Sequence, residues 1–221
     1  TYGGVALTQV GRTTGNHAVE IWRLLSPADG SADVVVSLGG ATDIKGGAVT
    51  YNGVEQTTPT GTYAGASGTG TTASVDVSSA TGGLVLDITN WDNNPSGYST
   101  GTGQSDIWNL TNSAHRAVST TEAGAATVTM SSTVSASNQW EIGAVSINAA
   151  ENVSPTLTDT TLSITVAEDA GAPSGAVGSL ISSFTGGITD ADTGASKCIA
   201  ITGTNVTNGF WYYTINGGST W

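Results

Sequence analysis

GLVLDIT, residues 83–89, alternates along its length with a period of two. Leu84, Leu86 and Ile88 fall on one side of an extended chain, and Val85, Asp87 and Thr89 fall on the other. Successive side chains of a strand point to opposite faces of a sheet, so this stretch reads as a strand with an apolar face. An amphipathic helix would need apolar residues three and four apart, and no such pattern runs longer than about two turns anywhere in the chain.

Working outward, similar runs occur at residues 5–10, 17–25 (HAVEIWRLL), 33–38 (DVVVSL), 48–54, 73–77, 105–110, 126–132 and 140–147 (WEIGAVSI). In the second of these, Val19, Ile21 and Arg23 share one face, and Glu20, Trp22 and Leu24 share the other. Val, Ile, Thr, Trp and Tyr favour a pleated, half-buried surface. Asp29-Gly30 is a turn signal. Many short strands with regular turn signals predict an all-β chain of sandwich type with almost no helix. Residues 57–72, rich in Thr, Gly and Ala, and 91–103 (WDNNPSGYSTGTG) read as long loops, where ligands bind. Trp22, Trp108 and Trp140 alternate within strands and are expected in the core.

A boundary falls at residues 149–155 (AAENVSP), where Pro155 ends the preceding pattern. A second region then offers strand-like runs at 162–166, 188–192, 197–201 and 209–215 (GFWYYTI). The expected modules are therefore 1–150 and 151–221. Cys198, the single cysteine, lies in an apolar run and is expected to be buried.

Composition narrows the function. Charged residues make up 10% of the 221, against a usual share of about 25%. Lys and Arg number 5 against 17 Asp and Glu, a net charge of −12. A nucleic-acid partner needs cationic side chains to replace counterions on phosphates, so this balance argues against one. It argues equally against anionic membrane surfaces. No apolar run reaches the roughly 20 residues of a spanning helix, so no membrane insertion is expected. With one cysteine there is no intramolecular disulfide, which fits a bacterial exterior better than an animal one.

Two sets of motifs carry a resemblance. TYGGVALTQVG (1–11), VEIWRLLSPADGSADVVVSL (19–38) and WEIGAVSI (140–147) resemble a jelly-roll-like β-sandwich module of large secreted bacterial proteins. ITDADTGASKCIAITGTN (188–205) and NGFWYYTINGGSTW (208–221) resemble the cadherin-like or immunoglobulin-like repeat of giant bacterial surface proteins and adhesins. The first resemblance implies a further strand ahead of residue 1, and the second implies a repeat that continues past Trp221. Both modules are thus expected to be partial, the first without its N-terminal strand. They imply extracellular or cell-surface display and a structural or adhesive role. A sheet missing a strand offers an unpaired edge to another chain. The expected partners are other copies of the chain or neighbouring repeats, and a contact of this kind that does not close makes a filament.

The chemistry-bearing residues are few. His17 and His115 lie in separate segments, in neither a metal-spaced pair nor a nucleophile elbow. No convergent carboxylate pair stands out, so no catalytic residues and no enzyme are expected. Asp190 and Asp192, two residues apart, with Glu168 and Asp169 in another loop, form a candidate Ca²⁺ site, since calcium takes six to eight oxygens; Asp159 and Asn152 lie near the boundary. Asp92, Asn93 and Asn94 form a lesser one. Trp91, Asp92, Asn93 and Tyr98 form a candidate glycan contact, with an aromatic face for the sugar ring and polar groups for its hydroxyls. The expected function is a structural subunit of an extracellular fibre, adhesin or matrix. The alternative is a carbohydrate-binding module.

Overall fold

The computed structural model describes residues 1–40, 43–158, 167, 169–192 and 195–221. The protein is all-β, built from antiparallel pairs. Its single helical element among the described residues is the short 3-10 turn Ile181–Phe184. Among those residues no helix is long and apolar enough to cross a membrane. The chain divides into two compact units, Thr1–Glu151 and Asn152–Trp221.

The first unit begins with a hairpin of β1 (Thr8–Thr14) and β2 (Ala18–Arg23). A larger sheet follows, made of β3 (Ala64–Val77), β4 (Leu84–Asp92), β5 (Ser99–Thr100), β6 (Ser105–Thr111), β7 (His115–Ala123) and β8 (Val128–Ile147). Its order is β3-β8-β4-β7-β6, with β5 paired to β8. β4 therefore sits at the centre, between β8 and β7.

Both faces of β4 are covered, but unequally. Val85, Asp87, Thr89 and Trp91 are buried, whereas Leu84, Leu86 and Ile88 are only partly so. The more polar face is the deeper one because β3 and β8 fold over it. Their pairing breaks register at Gly70/Thr72, and the far ends return to pack on the sheet. Val77, Val128 and Met130 thus cluster with Val85, Ile142 and Ala144, while Ala73 and Val134 close on Trp91. The burial of Val85, Met130 and Ile142 alone contributes roughly 1.5–3 kcal/mol per side chain.

Asp87 is the exception within this interior. It is 1% exposed, and its Oδ1 accepts hydrogen bonds from the Thr120 N–H (2.7 Å) and hydroxyl (2.8 Å). Its Oδ2 has no hydrogen-bond partner among the described residues. Burial pushes this carboxyl up to about 6, against the opposing pull of the Thr120 bonds.

The other face of β4 meets the β1–β2 hairpin, which buries Val19 and Ile21. Tyr63 pins the two together. Its hydroxyl bonds Thr13 Oγ1 at 2.8 Å, and its ring lies against Gly11 of β1 and Gly143 of β8. A side chain at either glycine would occupy the space of the ring.

Several expected elements differ. Residues 64–72, expected as loop, join the expected strand 73–77 in β3: Gly65 and Gly68 leave room for Thr13 and Trp140, and pairing with β8 supplies what propensity does not. Residues 115–123, too polar to read as a strand, form β7, whose Ser119 and Thr120 bond to Asp87 across the ladder. Residues 33–38 and 48–54 form no strand; Val34, Val36 and Leu38 are about half exposed, and only bridges at Val34 and Val54 appear. Trp22 is 48% exposed and Trp91 fully buried, the reverse of the expected assignment.

The second unit holds one short pair, β9 (Thr156–Leu157) with β10 (Ile188–Thr189). The strand-like runs 197–201 and 209–215 pair with nothing among the described residues. Cys198 is exposed, a correction with the same cause, because no sheet covers its run. The expected strand 162–166 lies outside the described residues.

Candidate functional site

The structure brings three side chains together that are far apart in sequence: His17, Asp92 and His115. Each is placed by a different element. Asp92 is the last residue of β4, since Asn93 and Asn94 take positive φ (53° and 44°) and turn the chain away. His115 is the first residue of β7 and lies directly opposite Asp92 in the antiparallel register. Asn112 sets that start: its side-chain Oδ1 accepts the N–H groups of Ala114 (2.9 Å) and His115 (2.7 Å). His17 comes from the turn of the β1–β2 hairpin, which lies over the end of the sheet.

That turn is held by Glu141 of β8. The carboxylate is 1% exposed, accepts the His17 N–H at 3.1 Å and takes the Asn90 amide at 3.0 Å on its other oxygen. Gly15 packs on the same carboxylate so closely that a Cβ would collide with Oε1. A buried carboxylate thus fixes the backbone of His17 and leaves its ring free.

The imidazoles stand edge to face, with centroids 4.4 Å apart and planes at 68°. Asp92 Oδ1 lies 3.2 Å from His115 Nδ1 and 4.0 Å from His17 Nδ1. Both Nδ1 atoms are shielded from solvent, and neither makes a hydrogen bond among the described residues. Leaving a buried polar atom unpaired costs about 1–3 kcal/mol. Asp92 Oδ2 is occupied by the Asn16 amide at 3.3 Å. A Ser-His-Asp relay needs a hydrogen bond from imidazole to carboxylate, and that bond is missing here. What the arrangement offers instead is two imidazole nitrogens and one carboxylate oxygen within 4.8 Å of one another.

The residues singled out from sequence fall elsewhere, apart from Asp92. Trp91 is fully buried against Ala73, Val134 and Trp140, with its indole N–H donated to Ser132 Oγ at 3.1 Å. It lies on β4 in phase with Val85, Asp87 and Thr89, so its ring is not offered to a glycan. Asp92 points to the opposite face. Asn93 bonds Asn138 (3.2 Å). Tyr98 donates to Asp106 Oδ1 at 2.7 Å and lies under the Arg116 guanidinium, 5.2 Å from the ring centre. Burial, reinforced by Asp106, raises the Tyr98 phenol above its ordinary range. The four proposed glycan contacts therefore do not share one surface.

The proposed calcium ligands are turned towards backbone. Asp190 Oδ1 accepts the Asp192 N–H (2.9 Å), and Asp192 Oδ2 accepts the Val153 N–H (2.9 Å). Asp169 has a positive φ of 60° and is exposed. Glu168 and Asp159 lie outside the described residues. Among the described residues, these carboxylates do not form a three-ligand set.

The histidine pair was not legible as a metal motif because its spacing, 17 to 115, has no local period. One partial signal existed. Carrying the alternation of Leu84, Leu86 and Ile88 on through residue 90 places Asp92 at the strand end, facing the side that the hairpin covers.

Comparison with known protein families, curated proteins and solved structures finds no match for this chain.

Proposed function

We propose that the chain is a structural, non-catalytic segment of an extracellular fibre, adhesin or matrix protein of a bacterium. The observation that carries this is the succession of two compact units, Thr1–Glu151, built from antiparallel strands, and Asn152–Trp221, which holds one short antiparallel pair among the described residues. It fits the resemblance to sandwich modules strung along large surface proteins, and the acidic, Lys-poor composition suits an exterior setting. Self-association is supported by β6, which ends the sheet order and pairs with no strand on its outer edge among the described residues. Such an edge accepts a strand from another copy or a neighbouring repeat.

Antibodies against the purified chain test the location. Labelling of intact producing cells is expected, and labelling only after permeabilisation would overturn the surface role. Sedimentation over a concentration series tests assembly. Association that weakens in Asn109→Pro, with the fold intact by circular dichroism, is the expected result, because proline removes a donor from the edge. A monomer at every concentration would sink strand complementation.

A carbohydrate-binding role is favoured by one different observation, the exposed Trp22. Its indole N–H is held by Glu20 Oε2 at 2.8 Å, which also takes Gln9 at 3.2 Å, so the ring has a set orientation beside polar groups. A glycan array whose signal disappears in Trp22→Ala and persists in Trp91→Phe would put this reading first. A blank array would remove it.

A further inference from the structure

We propose that His17, Asp92 and His115 form a binding site for a divalent first-row transition-metal ion of the zinc class, and that the ion clips the β1–β2 hairpin to the end of the main sheet. This goes beyond the structural role proposed above and does not depend on it.

The donor set selects the metal class. Two imidazole nitrogens and one carboxylate oxygen suit zinc and its neighbours, whereas calcium and magnesium want oxygen alone. The spacing agrees. Ligand bonds of about 2.0–2.1 Å in a tetrahedron put neighbouring ligand atoms about 3.3 Å apart. His115 Nδ1 and Asp92 Oδ1 are 3.2 Å apart, and His17 Nδ1 stands 4.0 Å from the same oxygen. All three ligand atoms lie within 4.8 Å of one another. The longer distance belongs to the residue best able to adjust, since the His17 side chain is 37% exposed against 18% for His115.

Hydrogen bonding gives an independent indication. At 3.2 Å an imidazole and a carboxylate would ordinarily share a proton, yet neither Nδ1 has a hydrogen-bond partner among the described residues although both are shielded from water. Two shielded imidazole nitrogens beside an anionic oxygen are satisfied together by a cation. The surroundings then play the part of an outer shell. Asn16 holds Asp92 Oδ2 and leaves Oδ1 for the ion, while Glu141 and Asn112 fix the backbones of the two histidines. Groups of this kind orient ligands. Three protein ligands leave a further position for water.

The structural consequence follows from where the ligands sit. Asp92 and His115 belong to adjacent strands of the main sheet, and His17 to the hairpin turn. An ion bound by all three couples the hairpin to the sheet, and binding to the folded state alone adds stability by mass action.

The experiment uses the full chain, free of affinity tags and stripped of metal. Calorimetric titration with Zn²⁺ and absorption spectroscopy with Co²⁺ read the site directly, and thermal melting reads the clip. Saturation at one equivalent is expected, with a tetrahedral-type Co²⁺ spectrum and a raised melting temperature, and with no comparable effect from Ca²⁺ or Mg²⁺. His115→Gln and His17→Gln, each checked for an intact fold by circular dichroism, are expected to weaken Zn²⁺ binding by more than about 100-fold. Asn16→Ala is expected to weaken it by about 10-fold, at the lower end for outer-shell groups. Zn²⁺ affinity unchanged in both histidine variants would overturn the site, as would Zn²⁺ binding no tighter than Mg²⁺ binding. Tight binding through these residues without any change in melting temperature would overturn the clip. If His115→Gln fails to fold, His17→Gln at the exposed turn decides alone.

Discussion

The two units use similar strand-like sequence and reach different outcomes. In Thr1–Glu151, β4 is enclosed on both faces, and every residue from 84 to 91 finds a ladder partner in β8. In Asn152–Trp221, the run 209–215 has a higher share of aromatics than β4, yet Phe210, Tyr213 and Ile215 are 82%, 80% and 94% exposed and pair with nothing among the described residues. Ile188 is the one buried hydrophobic residue of that unit among those described. The difference teaches that strand propensity is permissive. A strand exists where a neighbour supplies hydrogen bonds and a second layer covers its face, since isolated strand pairs are marginal in water.

Truncating matched aromatic residues should separate the units most sharply. Trp91→Ala removes a fully buried ring and leaves Ser132 unpaired, so a loss of about 3–5 kcal/mol is expected in urea denaturation. A loss below about 1 kcal/mol would mean that the Trp91 pocket is not the packed interior described.

The next effect concerns Asp87 and should be confined to the first unit. Its carboxyl stands at about 6 in the folded chain against an ordinary value of 3.8, with burial as the main cause. Between those values the folded state keeps a proton that the unfolded state has released. Stability contributed by the neutral acid is therefore present below about pH 4, falls as pH rises to about 6, and stays at the lower level above. A difference of about two pK units corresponds to about 3 kcal/mol. Asp87→Asn keeps an acceptor for Thr120 and cannot ionise, so stability measured from pH 4 to 7.5 should lose this slope. An unchanged slope would assign it to other groups.

Gly143→Ala should cost about 1–3 kcal/mol by overpacking, because the added methyl falls on the hydroxyl end of the Tyr63 side chain that joins hairpin to sheet. Tyr63→Phe in the same background removes the hydroxyl that the methyl meets first and should recover part of the loss, and Tyr63→Ala, which also removes the ring, should relieve the contact fully. The smallest effect is expected at Phe210→Ala, within about 0.5 kcal/mol, since the ring is largely in solvent. A loss comparable to that at Trp91 would show that the run 209–215 is packed in solution and would erase the contrast.

Local alternation was a good guide where both the pattern and its covering were strong. It located β2, the second part of β3, β4, β6 and both ends of β8, and it assigned Val19 and Ile21 to one face. It failed at the first part of β3 and at β7, where small and polar residues form strands because their neighbours demand it. It also failed at 33–38, where three consecutive valines form no strand and stay half exposed. The candidate site shows the same division. Asp92 was visible as a polar residue beside a tryptophan, but its partners were not.

Composition and period two by themselves determined that the chain is all-β and acidic, because those properties depend on residue type and nearest neighbours. Which face of β4 is deepest, which tryptophan is buried, and that His17 meets Asp92 and His115 were decided only in three dimensions. Each depends on the long β3–β8 ribbon folding back and on a hairpin laid across the opposite face. Those contacts join residues dozens of positions apart, and no local spacing encodes them.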